Sequence, residues 1–190
     1  MGYKDDLRKI FPTAEFHDEQ PVSETDVATT LERLYTATVA SVASHPNKML
    51  ATLGKNLWSV MHHRHVALVM HDGFPSMSFF VAAPRRGERA QGMIVAPGPW
   101  VALMKSQPLV AIGAVIFAGS QAVDFYNDRL IGEPTRERAI QRALAYEAEF
   151  LKGFPDYPLS DYQKGLLKMH PEGITAAHLY DYRPVGSMVS

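Results

Sequence analysis

A chain of 190 residues, 46% hydrophobic and 21% charged, is long enough to bury one core and too apolar to remain disordered. Its formal net charge of −1 argues against the strongly basic footprint of an obligate nucleic-acid binder. The absence of cysteine excludes a disulfide scaffold, a thiolate zinc site and a cysteine nucleophile; it fits a reducing compartment, so a cytoplasmic location is expected.

Residues 1–22 are the segment least able to fold alone. Pro12 and Pro21 bracket a short polar stretch, and the apolar residues Ile10, Phe11 and Phe16 follow no period. The opening Met1-Gly2-Tyr3-Lys4-Asp5-Asp6 is polar and mixed in charge, unlike a signal peptide. These residues are expected to form an N-terminal arm that orders only by docking, with residues 23–190 as a single domain.

Ser23-Glu24-Thr25-Asp26 reads as a capping box. Val27, Leu31, Leu34, Tyr35, Val39 and Val42 then recur at helical spacing. His45-Pro46 stops this helix, because proline disfavours helical geometry in the residue before it. Asn47 can cap a second helix with Leu50, Leu53, Leu57 and Val60 on one face. So short a link predicts an antiparallel helical hairpin.

The pattern changes at Arg64. Residues 64–71 and 76–83 are rich in Val, Leu, Met and Phe, and Asp72-Gly73 between them signals a β-hairpin. Further short strands are expected at 93–96, 100–104, 109–118 and 121–126, with Gly119-Ser120 as a turn. The most apolar stretch, Met93–Ala118, is broken by Pro97, Pro99, Lys105 and Pro108. It reads as buried strands of a soluble protein rather than a spanning helix, and no membrane partner is expected.

Pro134 suits the first turn of another helix, whose buried stripe is Ile140, Leu144, Ala148 and Leu151. Gly153 and Pro155 end it. Ser160 can cap a short helix closed by His170-Pro171. In the last segment Ile174, Ala176, His178, Tyr180 and Tyr182 alternate with Thr175, Ala177, Leu179 and Asp181, which predicts a final strand. The expected fold is α+β: a helical hairpin, a mainly antiparallel sheet over about 64–126, two C-terminal helices and a final strand.

Three groups of residues could carry chemistry. His62, His63, His65 and His71 cluster along the chain. On a strand His63 and His65 share a face and could bind a ligand. His71 stands roughly 20 Å from His65 at about 3.3 Å per residue, too far for one ion. No acidic residue close in sequence completes a shell, so no metal is expected there. Arg85, Arg86 and Arg89 surround Gly87 and could grip a phosphate or carboxylate in bidentate fashion, although the Lys-Ser/Thr of a P-loop is missing. Lys105, after Trp100-Val101-Ala102-Leu103-Met104, could have a lowered pKa if buried, but it stands alone, and a strand-end lysine with an exposed head is far the commoner arrangement.

Asp124, Tyr126, Asp128, Tyr180, Asp181 and Tyr182 follow no motif spacing. There is no nucleophile elbow, His-Glu-x-x-His, dinucleotide fingerprint or EF-hand loop. Catalytic residues and cofactor remain unassigned, and whether the chain is an enzyme is left open. The expectation is a non-catalytic assembly or structural subunit of a larger complex, such as a virion, with a protein partner or further copies of itself. The alternative is a small-molecule enzyme or ligand-binding domain using an anion-binding Arg85–Arg89 loop or a histidine site at His63–His65.

Overall fold

The computed structural model describes residues 35–62, 66–70, 77–82, 91–96, 107–127 and 133–180. The expected arm at 1–22, the capping box at Ser23, the turn at Asp72-Gly73 and the strand at 100–104 lie outside them. The described part is α+β and mostly helical.

Residues 35–43 (α1) and Lys48–His62 (α2) form the expected helical pair. Asn47 caps α2, its Oδ1 accepting the amides of Met49 at 2.9 Å and Leu50 at 3.4 Å. Val42, Leu50, Leu57 and Val60 are fully buried between the elements. The Tyr35 hydroxyl donates to the Leu57 carbonyl at 2.8 Å and ties the two helices together.

Three strands follow: Val66–Met70 (β1), Ser78–Ala82 (β2) and Gln91–Ala96 (β3). Their order is β1-β3-β2. β3 pairs parallel with β1, Val66 opposite Gly92 through Met70 opposite Ala96, and antiparallel with β2, Ser78 opposite Val95 through Ala82 opposite Gln91. The expected pairing of 64–71 with 76–83 is therefore corrected. β1 and β2 flank β3 instead of forming a hairpin, and the sheet is mixed rather than mainly antiparallel. The reason lies in β3: Met93, Ile94, Val95 and Ala96 are all at most 1% exposed. A strand buried on both faces belongs at the centre of a sheet.

The larger correction concerns 109–118 and 121–126. Pro108–Tyr126 is one 19-residue helix (α3), with no turn at Gly119-Ser120. Its Pro108 occupies the first turn, where a missing amide costs nothing. α3 packs against α2, β2, β3 and Glu133–Leu151 (α4), so it is apolar on nearly every side. A helix buried all round has no single stripe to reveal its period. By length and composition Leu109–Tyr126 could also cross a membrane, but 61% of it is buried within the fold, as a core helix is.

α4 and Asp161–Met169 (α5) are the two expected C-terminal helices. The buried side of α4 is broader than the predicted stripe. Ala139, Ala143, Ala145, Tyr146, Phe150, Arg142 and Glu147 join Ala148 and Leu151 inside, while Ile140 and Leu144 are half-buried. Ser160 caps α5 as expected, its Oγ accepting the Gln163 amide at 3.3 Å. The Gln163 side chain answers by accepting the Ser160 amide at 3.0 Å.

The final strand is not formed across the described residues. Ala177–Tyr180 is a short helical turn (α6). The His178 and Leu179 amides donate three residues back, to Thr175 and Ala176. The Thr175 amide donates to His178 Nδ1 at 3.2 Å. Backbone groups satisfied this locally have no need of a neighbouring strand, whatever the side-chain alternation.

Candidate functional site

His63, His65 and His71, the arginines Arg85, Arg86 and Arg89, and Lys105 all lie outside the described residues. α2 ends at His62 and β1 opens at Val66, after the first two of these histidines. The arginines fall in sequence between the antiparallel partners β2 and β3. Among the described residues, no three histidine, aspartate or glutamate side chains converge as a metal site would require.

The chemistry that is described collects instead on α4. Its first centre is Arg142, whose side chain is 4% exposed beside an Asp124 side chain that is 5% exposed. Arg142 Nη2 and Nε donate to Asp124 Oδ2 at 2.8 and 3.1 Å, and Nη1 donates to the His178 carbonyl at 3.0 Å. One guanidinium thus joins α3, α4 and α6. A buried ion is tolerated only when paired and hydrogen-bonded, and this one is both.

The second centre is Glu147, 2% exposed. It lies at the fourth position after Ala143 and the eighth after Ala139, so it continues a row of small residues along the buried face of α4. Gly113 of α3 faces it. A methyl group on Gly113 would stand 2.6 Å from Glu147 Oε1, so the carboxyl occupies space that only glycine leaves open. On the other side the Tyr162 hydroxyl of α5 donates to Glu147 Oε2 at 3.0 Å. Tyr162 is otherwise 55% exposed, its ring at the surface and its hydroxyl turned inward.

These surroundings decide the proton. Burial pushes the Glu147 carboxyl up to about 7, and the Tyr162 hydrogen bond only partly opposes this. Tyr162 is itself pushed up by burial of its hydroxyl and by the Glu147 charge. The result is a carboxyl poised to gain or lose a proton near neutrality, joined to the surface through a phenol.

Two further clusters tie the ends of helices. Asn47 Nδ2 donates to Glu149 Oε1 at 2.8 Å, and Lys152 reaches Glu149 Oε2 at 3.3 Å. His170 and His178 face each other with ring centres 6.4 Å apart. Burial and the neighbouring His178 charge lower the His170 pKa. His178 Nδ1 also lies 3.0 Å from Thr175 Oγ1.

Of the acid–base residues named from sequence, Asp124 acquires a buried charged partner in Arg142. Arg142 and Glu147 went unnoticed because each reads, in Arg136–Arg142 and Tyr146–Glu149, as an ordinary charged helix surface. The usable signal is the set of alanines among which both stand, Ala139, Ala143, Ala145 and Ala148. Compared with known proteins, the chain matches no family model, no curated protein and no solved structure.

Proposed function

We propose that the chain is a non-catalytic assembly or structural subunit that works through its surface, first of all with further copies of itself. The observation that carries this reading is the outer face of α5. Tyr162 and Met169, 55% and 65% exposed, lie seven residues apart on one helical face, and Gly165 between them leaves open space. Trp58 on α2 is also 56% exposed. Large aromatic and methionine side chains left in water are the residue types that protein interfaces favour. The buried charges, by contrast, tie helices to one another. Such a subunit is expected in the cytoplasm or within a particle such as a virion.

The test is sedimentation velocity of the full chain from micromolar to near-millimolar concentration. The expected result is a reversible oligomer that Met169→Glu dissociates, the circular dichroism spectrum remaining that of the folded protein. A monomer over the whole range, or an oligomer indifferent to Met169→Glu, would reject this surface.

One observation favours the alternative of a small-molecule enzyme or ligand-binding domain. A carboxyl titrating near neutrality and joined to a surface phenol, as Glu147 and Tyr162 are, is an arrangement that acid–base sites use.

A further inference from the structure

Among the described residues Glu147 is buried without a cation. α5 offers it the neutral Tyr162 hydroxyl, and α3 faces it with Gly113. Along α4 itself, Arg142 is directed to Asp124, and Glu149 to Asn47 and Lys152. α6 presents His178, which meets Thr175 and His170. The charges of α5 point outward, Lys164 pairing with Asp161 at 3.5 Å with both side chains in solvent, and Lys168 is exposed. From α2, Lys48 and Lys55 are likewise exposed.

An ionised Glu147 therefore has one neutral donor and no countercharge among the described residues. A protonated Glu147 has no charge to compensate, and the same phenol satisfies one of its oxygens.

The element best able to relieve the ionised state is α5. It has nine residues, too few to be stable alone, and its attachment to the fold is made on α4. Leu166 is its fully buried apolar anchor. Gln163, 1% exposed, leaves its side-chain Nε2 without a partner, which weakens the seat further. Pro155 and Pro158 precede the helix, and Gly173, with φ of +66°, follows it.

We propose that Glu147 is a proton-operated latch for α5. When protonated it tolerates the dry seat between α4 and α5 and the helix stays docked; when ionised it draws in water and releases the helix, the Tyr162 hydrogen bond opposing that release only in part. The latch is independent of what α5 binds, so it stands or falls apart from the assembly reading. If both hold, the face bearing Tyr162 and Met169 is moved by pH.

The test is amide hydrogen exchange of the full chain, followed by mass spectrometry on peptides covering 157–170 and corrected for the intrinsic effect of pH. The latched carboxyl titrates at about 7 and the freed one at the ordinary 4.5. Opening releases one proton between these values, so protection should fall about tenfold per pH unit there and level off above neutrality. Peptides within α2 should keep their protection. His170 produces the opposite slope: its lowered pKa makes protonation favour the open state, so its contribution to protection rises with pH.

Glu147→Gln keeps an acceptor for Tyr162 without the charge and should abolish the fall. Tyr162→Phe removes the one hydrogen bond that favours the ionised carboxyl, so the fall should continue to higher pH before levelling. A flat wild-type profile overturns the latch, as does a slope that survives in Glu147→Gln. If Glu147→Gln does not fold, the wild-type slope and the displaced plateau of Tyr162→Phe decide the matter. A plateau unmoved by Tyr162→Phe also rejects it.

Discussion

Removing one partner of the Arg142–Asp124 pair should be among the most damaging single changes in the protein. Both side chains are at most 5% exposed, and Arg142 makes three described hydrogen bonds, two to Asp124 and one to the α6 backbone. Asp124→Leu takes the Asp124 carboxylate away from a buried guanidinium, and breaking such a pair costs about 3–5 kcal/mol. Arg142→Met removes the guanidinium from the Asp124 carboxylate and also takes the donor from the His178 carbonyl, so its cost should lie at the upper end of that range. The double variant Asp124→Leu with Arg142→Met removes both charges and gives up the bond to the α6 backbone. This double variant should recover a large part of the loss, because hydrophobic replacement of a buried ion pair is often neutral or better. Urea unfolding of the four proteins completes a double-mutant cycle, with the midpoints compared at equal slope. Single variants that each cost less than about 1 kcal/mol, the size expected of an exposed pair, would refute the reasoning. So would a double variant as unstable as the sum of its parts.

Glu147→Gln should change how stability depends on pH. Because burial raises the folded carboxyl to about 7 from the ordinary 4.5, its stabilising protonated form is present in full below the lower value. That contribution is lost as pH rises to the higher one. The loss is roughly 3 kcal/mol, at about 1.36 kcal/mol for each pH unit between the two. Denaturation of the wild type at mildly acid and mildly alkaline pH should show it, and Glu147→Gln should not. Gly119→Ala should destabilise by about 1–3 kcal/mol, since the new methyl would stand 2.5 Å from Leu57 Cδ2; the same change at a solvent-facing turn would be nearly silent in thermal melts. Ser160→Ala removes the oxygen that accepts the Gln163 amide and should cost about 1 kcal/mol. Its effect should appear as faster amide exchange within Asp161–Met169.

What could be read from the sequence was whatever announced itself locally. Asn47 and Ser160 cap helices in the structure as their positions predict, because a cap depends only on its own oxygen and the next three amides. The hairpin helices showed their period because one face of each meets solvent. Lys48, Lys55 and Asn56 stay outside while Leu50, Leu53 and Leu57 go in. β1, β2 and β3 each fall within a stretch expected to be a strand or overlap one, but their pairing differs from the expected hairpin. Two apolar runs around Asp72-Gly73 say that strands are near, not which edge a third strand will take.

α3 shows why the rest was hidden. Its Val110, Ile112, Val115 and Ile116 are residues that strands favour. Its other distinguishing marks, Gly113 and Gly119, are the residues that ordinarily interrupt helices. Each is explained only by a partner distant in sequence: Glu147 fills the space before Gly113, and Leu57 the space before Gly119. The same partners make the centres on α4 what they are. Arg142 is an ordinary helix-surface residue until α3 and α6 close over it, and Glu147 until α3 and α5 do. Burial then turns one into a clamp and lifts the other to the edge of ionisation. Ionisable groups on a helix acquire chemistry from what covers them, so a chain whose central helix is misread will hide its site as well as its fold.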